Sequence, residues 1–145
     1  MISVARLTHA DRDDWEVLAR AYKAFYRTEL PAASYDEMWR RFMHEDGLSA
    51  FAARSGGRVI GIAHYLFHPL VWVGPVCYLQ DLYVDERERG RGAAGALIER
   101  VARDARTRGA SRLYWHTQDD NARARSLYDK VARFNGFIRY EQPLS

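Results

Sequence analysis

Hydrophobic and polar positions along this chain follow two periods, and each period predicts a different element. Ile2 to Leu7 alternates with a period of two, which predicts a first strand. From Thr8 to about Arg27, apolar residues such as Trp15, Leu18 and Ala19 recur at helical spacing. That spacing predicts an amphipathic helix, with Thr8 as its N-cap.

The middle of the chain predicts a second helix and then three strands. The helix is expected from Ser34, as its N-cap, to about Gly47. Two β-rich runs, Leu48 to Arg54 and Arg58 to Phe67, flank a Gly-Gly pair and predict a hairpin. Val76 to Val84 is the next predicted strand.

The last third of the chain predicts two helices, each followed by a strand. A helix is expected from about Arg91 to Arg108, then a strand from Ser111 to Thr117. A last helix follows Asn121, and a final strand is expected from Phe137 to Gln142. The predicted order β-α-α-β-β-β-α-β-α-β is an α/β fold with a mixed sheet and flanking helices.

Composition limits the class of protein. At 145 residues and 48% hydrophobic content, the chain is expected to form one domain, residues 1–145. We predict no membrane segment and no signal peptide, because neither pattern is present. The single cysteine, Cys77, is expected in the core, and a cytoplasmic location is compatible with it. The net charge is +3, but arginines are interleaved with acids, which disfavours a nucleic-acid interface. We predict no metal site.

The segment from Tyr78 to Leu97 predicts a strand, a phosphate-binding turn and a helix start. Gly90 and Gly92 have no Cβ, so a phosphate can approach their backbone N–H groups closely. The helix start adds unpaired N–H groups and the positive end of the macrodipole. The turn also carries three alternating arginines, Arg87, Arg89 and Arg91. Together these features predict a pyrophosphate site.

Two other readings of this turn are weaker. Gly90, Gly92 and Gly95 also satisfy G-x-G-x-x-G, with Asp119 downstream near the spacing of a dinucleotide fold. That motif usually opens a doubly wound sheet, and too little chain follows it here for such a sheet. A Walker A loop is excluded, because no lysine followed by Ser or Thr ends the turn. A basic helix cap with solvated arginines remains the non-functional alternative.

Two motifs resemble those of the GCN5-related N-acetyltransferases. The hexapeptide RERGRG at 87–92 matches the signature R/Q-x-x-G-x-G/A and follows a strand, as it does in that family. Residues 121–128, NARARSLY, resemble the family motif N-x-x-A-x-x-L/F-Y. The likeness covers roughly residues 79–140. It implies the acetyltransferase fold and transfer of an acetyl group from acetyl-coenzyme A to a primary amine by direct attack.

The resemblance also assigns residues to the acetyl donor. It implies that the pantetheine arm pairs with the strand backbone at Leu82, Tyr83 and Val84. The pyrophosphate is assigned to Arg87, Arg89, Gly90, Arg91, Gly92 and Ala93. Tyr128 is the implied general acid for the departing thiolate, and Leu82 is the first position to test for oxyanion stabilisation. Asn121 is expected to cap its helix or to order the cofactor.

The acceptor side is less specific in the sequence. The Leu-Tyr-Asp-Lys-Val form at 127–131 resembles a subgroup acting on polyamines, small amines and histone tails, so the expected substrate is a small-molecule or peptide amine. Related polyamine enzymes often carry a glutamate where Gln80 stands. Gln80 cannot take a proton, so it is a candidate substrate contact and not a base. Asp81 is the next candidate base or cation-binding residue, but regular alternation turns it to the opposite face unless a bulge intervenes.

Other acceptor-side roles stay open. His116 is a candidate substrate contact or proton relay through water. Tyr22 and Tyr26 are candidate substrate contacts, with core packing as the alternative. His64 is interpreted as a packing residue, with a functional role as the alternative. We expect a homodimer through the edge of the final strand. The alternative functions are a non-catalytic acyl-coenzyme A-binding module and a dinucleotide-binding protein.

Overall fold

A computed structural model describes residues 1–145 as two compact units, residues 1–115 and 116–145. The first unit holds five strands: β1 (Ile2–Arg6), β2 (Ser49–Ser55), β3 (Arg58–His68), β4 (Val76–Val84) and β5 (Leu113–Tyr114). It also holds three α-helices: α1 (Arg12–Phe25), α2 (Ala32–Met43) and α3 (Ala93–Thr107). The second unit holds α4 (Ala122–Val131). No helix has the length and apolar character needed to cross a membrane.

The strands form one sheet in the order β1-β2-β3-β4-β5. The first three pairings are antiparallel and the pairing of β4 with β5 is parallel, which confirms a mixed, mainly antiparallel sheet. The predicted hairpin is β2 and β3. Its turn residues, Gly56 and Gly57, have φ of +58° and +76°. A two-residue turn of this kind needs left-handed backbone at both positions, which glycine adopts without strain.

Helices cover both faces of the sheet. Side chains from α1 and α2, including Trp15 and Trp39, pack in a buried cluster with Ile62 of β3. On the opposite face, a Cβ at Gly61 would lie 3.2 Å from Leu97 Cδ1 of α3. Glycine at that position therefore lets α3 approach the sheet closely. Cys77 is fully buried, as expected for a core residue, and burial raises the pKa of its thiol to about 12.

The predicted helix starts need small corrections. A short 3-10 turn, His9–Asp11, precedes α1, and the Asp11 carboxylate accepts a hydrogen bond from the Thr8 backbone N–H at 2.7 Å. Helix α2 begins at Ala32 with Pro31 as its N-cap, three residues before the predicted cap, Ser34. The N–H of Ser34 donates to the Pro31 carbonyl at 2.9 Å, so Ser34 lies inside the first turn and does not cap the helix.

Two predicted strands are shorter or missing. The strand expected from Ser111 to Thr117 is reduced to β5, two residues long. The final strand expected from Phe137 to Gln142 does not form, and residues 137–145 have no regular secondary structure. The fold class is confirmed without this last strand. A strand requires a neighbour for its backbone hydrogen bonds, and local sequence preference cannot supply one.

Candidate active site

A β-bulge in β4 decides which side chain faces α1. In the β3–β4 register, His64 lies opposite Asp81 whereas Tyr65 lies opposite Leu79. Gln80 is therefore an extra residue on β4, and it is exposed. His64 and Tyr65 are adjacent on β3, so their side chains point to opposite faces of the sheet. Their partners, Asp81 and Leu79, therefore lie on opposite faces too. The bulge required to turn Asp81 toward the face that α1 covers is present.

The Asp81 carboxylate lies beside His64 and Tyr22. His64 Nδ1 lies 2.9 Å from Asp81 Oδ2, and the Tyr22 side chain lies near this carboxylate. The Asp81 side chain keeps 19% of its surface exposed. Burial alone would raise the pKa of Asp81, but the His64 hydrogen bond and the nearby charges, including Lys23, hold that pKa below its ordinary value. Asp81 is therefore an anion at neutral pH.

Tyr22 lies near this carboxylate and packs against two further tyrosines. The ring centroid of Tyr22 lies 5.1 Å from that of Tyr26 and 6.0 Å from that of Tyr83. Burial, followed by the negative charge of Asp81, raises the pKa of Tyr22, so the phenol stays protonated. Tyr22 is half-buried and Tyr26 is exposed, so both reach beyond the core. An ammonium group fits this site, because a carboxylate and aromatic faces both attract cations.

His64 links this site to the core, a connection that the sequence did not predict. Trp15 Nε1 donates to His64 Nε2 at 2.9 Å, and the Phe42 ring stacks on the imidazole with centroids 4.5 Å apart. His64 is thus a packing residue, as interpreted, and it also contacts Asp81. The signal that would have revealed the contact is the strand register, which depends on the bulge at Gln80.

The turn before α3 has the geometry of an anion site. Gly90 and Gly92 have φ of +83° and +89°, and Gly92 is the N-cap of α3. No side chain caps this helix, so the N–H groups of its first turn have no partner within the helix. A Cβ at either glycine would meet no atom within 4 Å, so the space beside the turn is open. These residues fit a diphosphate group.

Arg89 is fixed against the strand end. Its Nε donates to the Val84 carbonyl at 3.1 Å, and its guanidinium lies 5.3 Å from the centroid of the Tyr83 ring. The positive charge of Arg89 is therefore placed where β4 enters the turn.

The other two arginines form exposed ion pairs. Arg87 pairs with Asp85 at 3.3 Å, and Arg91 pairs with Glu88. The Arg87 side chain is 82% exposed. Exposed pairs of this kind contribute only about 0–1 kcal/mol, so either arginine can exchange its partner for a phosphate at little cost.

The remaining predicted site residues lie in the second unit. Asn121 caps α4, with its Oδ1 accepting from the Ala124 N–H at 3.3 Å, as expected. Tyr128 is a half-buried residue of α4. His116 Nδ1 lies 3.4 Å from Arg139 Nη1. Burial, and then the charge of Arg139, lowers the pKa of His116, which favours the neutral imidazole.

Comparisons with known proteins identify the family. The model of the acetyltransferase (GNAT) family matches residues 15–134. The D-amino-acid N-acetyltransferase of Saccharomyces cerevisiae is 36% identical, over 97% of this chain and 90% of that protein. The thialysine N-epsilon-acetyltransferase of Caenorhabditis elegans is 31% identical, over 77% of this chain and 69% of that protein.

Solved structures agree on the fold. An aminoglycoside N-acetyltransferase in complex with coenzyme A superposes with a TM-score of 0.87 at 17% identity, over 100% of this chain and 96% of that one. The chain therefore belongs to the acetyltransferase (GNAT) family and is an N-acetyltransferase that uses acetyl-coenzyme A as its acetyl donor.

Proposed function

We propose that this enzyme acetylates the primary amine of a small basic molecule or of a lysine-like group, which binds as a cation at Asp81. The observation that carries the proposal is the ionised Asp81 carboxylate, partly exposed beside Tyr22, whose ring packs against that of Tyr26. Two relatives, named as acetyltransferases of D-amino acids and of thialysine, support a small amine as the substrate. A peptide lysine presents the same ammonium group.

Asp81 serves to bind the amine rather than to deprotonate it. An alkyl amine titrates near ~10.4 and an ordinary aspartate near ~3.9, so proton transfer between them is uphill by about 9 kcal/mol. The lowered pKa of Asp81 widens that gap. The proton then has to leave by another route, and His116, exposed and favoured in its neutral form, is the proposed relay through water.

The donor side uses the turn and the strand end. Acetyl-coenzyme A supplies the thioester whose carbonyl carbon the amine attacks. The first turn of α3, from Gly92 and Ala93, binds the diphosphate through backbone N–H groups, assisted by the exposed arginines. The backbone at 82–84 runs beside the pantetheine arm, and the Leu82 N–H stabilises the negative charge that develops on the carbonyl oxygen. Tyr128 keeps a phenolic proton for the departing sulfur, and Asn121 orders this end of α4.

A ligand-stability assay with a turnover panel tests this function. Acetyl-coenzyme A and coenzyme A are expected to raise the melting temperature, whereas NAD is not. Thiol release is then measured with spermidine, L-lysine, D-lysine, thialysine and a lysine peptide. Amine-dependent release with at least one of them is expected. Stabilisation by NAD alone, or no release with any amine, would contradict the proposal.

Gly92→Val is expected to abolish the coenzyme A shift in the same assay. Gly92 has φ +89°, which a β-branched residue adopts only with strain, and the new side chain occupies the open space beside the N–H groups. Gly47→Val is the matched control, because Gly47 also has positive φ, +75°, and open space around it. This control is expected to lose stability but keep the shift. Equal loss of the shift in both variants would argue against a site at the turn.

The enzyme is proposed to be one domain, residues 1–145, in the cytoplasm. The family match over residues 15–134 includes parts of both compact units, which supports a single domain. The only cysteine, Cys77, is buried and free, so the fold does not depend on an oxidising compartment.

A homodimer is proposed from the apolar side chains of the second unit. Phe137, Ile138 and Tyr140 are 81%, 73% and 88% exposed. Covering them at a symmetric interface removes apolar surface from water. Light scattering is expected to give twice the 16.8 kDa chain mass, and Phe137→Asp is expected to give the monomer. A wild-type monomer at micromolar concentration would refute the dimer.

A further inference from the structure

Three side chains from three elements form a hydrogen-bonded chain that ends at Asp81. Trp15 Nε1 on α1 donates to His64 Nε2 on β3 at 2.9 Å. His64 Nδ1 lies 2.9 Å from Asp81 Oδ2 on β4. Trp15 is only 1% exposed, and the Phe42 ring of α2 stacks on the imidazole. The imidazole is therefore held at both nitrogens and on one face.

This arrangement determines where the imidazole proton lies. An indole nitrogen can only donate, so His64 Nε2 must present its lone pair to Trp15. In the neutral imidazole the proton is then on Nδ1, where it is donated to Asp81. A second proton on Nε2 would place two N–H donors against each other and leave a buried indole without its acceptor.

We propose that Trp15 and His64 are positioning residues: the indole keeps His64 neutral with its proton on Nδ1, and that N–H holds Asp81 as an anion facing the acceptor amine. This inference rests on the proposed function, which assigns Asp81 to binding the amine. It also removes His64 as the base that receives the amine proton, because its one free lone pair is used by Trp15.

The charges around Asp81 explain why the protonation state of His64 affects substrate binding. The charged and titratable groups that face Asp81 include His64 on β3 and Tyr22 and Lys23 on α1. From α2, the uncharged Phe42 packs on the His64 ring. An imidazolium at His64 would neutralise the carboxylate that the ammonium of the substrate needs. The Trp15 N–H therefore protects the charge of Asp81 against mild acid.

Trp15→Phe tests this directly, because it removes the N–H donor and keeps an aromatic ring. We expect its kcat/KM for the most active amine of the panel to fall as the pH is lowered through about 7 to 6, where histidine ordinarily titrates, and to recover above that range. Wild-type enzyme is expected to show a smaller fall over the same range. Identical pH profiles for the two proteins would overturn the inference.

Two substitutions at His64 separate positioning from base catalysis. His64→Asn keeps a neutral N–H donor near the Nδ1 position and is expected to retain most of the wild-type kcat/KM. His64→Ala removes the donor and is expected to lose about 10- to 100-fold, mainly through the KM of the amine, as follows from losing one charge-assisted hydrogen bond. Equal losses in kcat for both variants would identify His64 as a base and overturn the inference.

A spectroscopic measurement on the wild-type protein tests the proposal without relying on turnover. Nitrogen-15 NMR of the histidine rings at neutral pH is expected to show the Nδ1–H tautomer for His64, with the resonance assigned by its absence in His64→Asn. An Nε2–H tautomer or an imidazolium would refute the proposal. Wild-type enzyme that shows the Nδ1–H tautomer but acetylates no amine would instead refute the proposed function, and with it the role of Asp81 toward a substrate.

Discussion

Asp81→Asn is expected to lower kcat/KM for the amine by about 100- to 1,000-fold while leaving the thermal shift by acetyl-coenzyme A unchanged. Asparagine is nearly isosteric but carries no charge, so the substrate ammonium loses its partly buried counter-ion, and losing one partner of such a pair is costly. The loss is expected mainly in the KM of the amine. Initial rates of thiol release over a range of amine concentrations measure it.

Asp36→Asn is the matched control for this prediction. Asp36 also pairs with a cation, Arg12, but its side chain is 72% exposed on the surface of α2. Wild-type kinetics are expected from this variant. An Asp81→Asn enzyme with an unchanged KM and a lowered kcat would show that the carboxylate takes part in proton transfer, contrary to the binding role proposed above.

Tyr128→Phe is expected to lower kcat by about 100- to 10,000-fold, the range typical of removing a general acid. The substitution removes one oxygen and keeps the ring, so the fold and the coenzyme A shift are expected to persist. The alkaline limb of the kcat profile is expected to disappear, since it reports loss of the phenolic proton. Single-turnover and steady-state rates across pH measure both effects.

Tyr140→Phe provides the comparison for Tyr128. Tyr140 is 88% exposed and belongs to neither motif, so its phenolic oxygen has no proposed role in the chemistry. Its substitution is expected to leave kcat unchanged. If Tyr128→Phe also retained wild-type kcat and its alkaline limb, the general acid would have to be sought in another group or in water.

Local patterns were sufficient to predict most of the fold. The Gly-Gly turn requires left-handed backbone, and Gly56 and Gly57 have it. The glycines of the arginine-rich turn have left-handed backbone as well, so the conformation of this proposed diphosphate site could be predicted from the sequence. Turn conformation depends on a few adjacent residues, so it can be predicted without knowledge of the tertiary structure.

Features that depend on distant partners were not predictable. The final strand at 137–142 has suitable residues, but strand formation is decided by whether a neighbour is available. The contacts from Trp15 to His64 and on to Asp81 join residues far apart in the sequence, and they depend on a register that shifts at one position. No periodicity analysis of β4 alone reveals that shift, because it becomes visible only against β3.

The extra residue in β4 changes which residue numbers point to each face of the sheet. In an uninterrupted strand, the neighbour of Leu79 would turn toward α1, and that neighbour is Gln80. With the bulge, Asp81 takes that orientation instead. With a bulge of this kind, a carboxylate one position later in the sequence can thus point to the same face of the sheet. Functional residues of such strands should be compared by the face they occupy, since position in the sequence alone does not give that face.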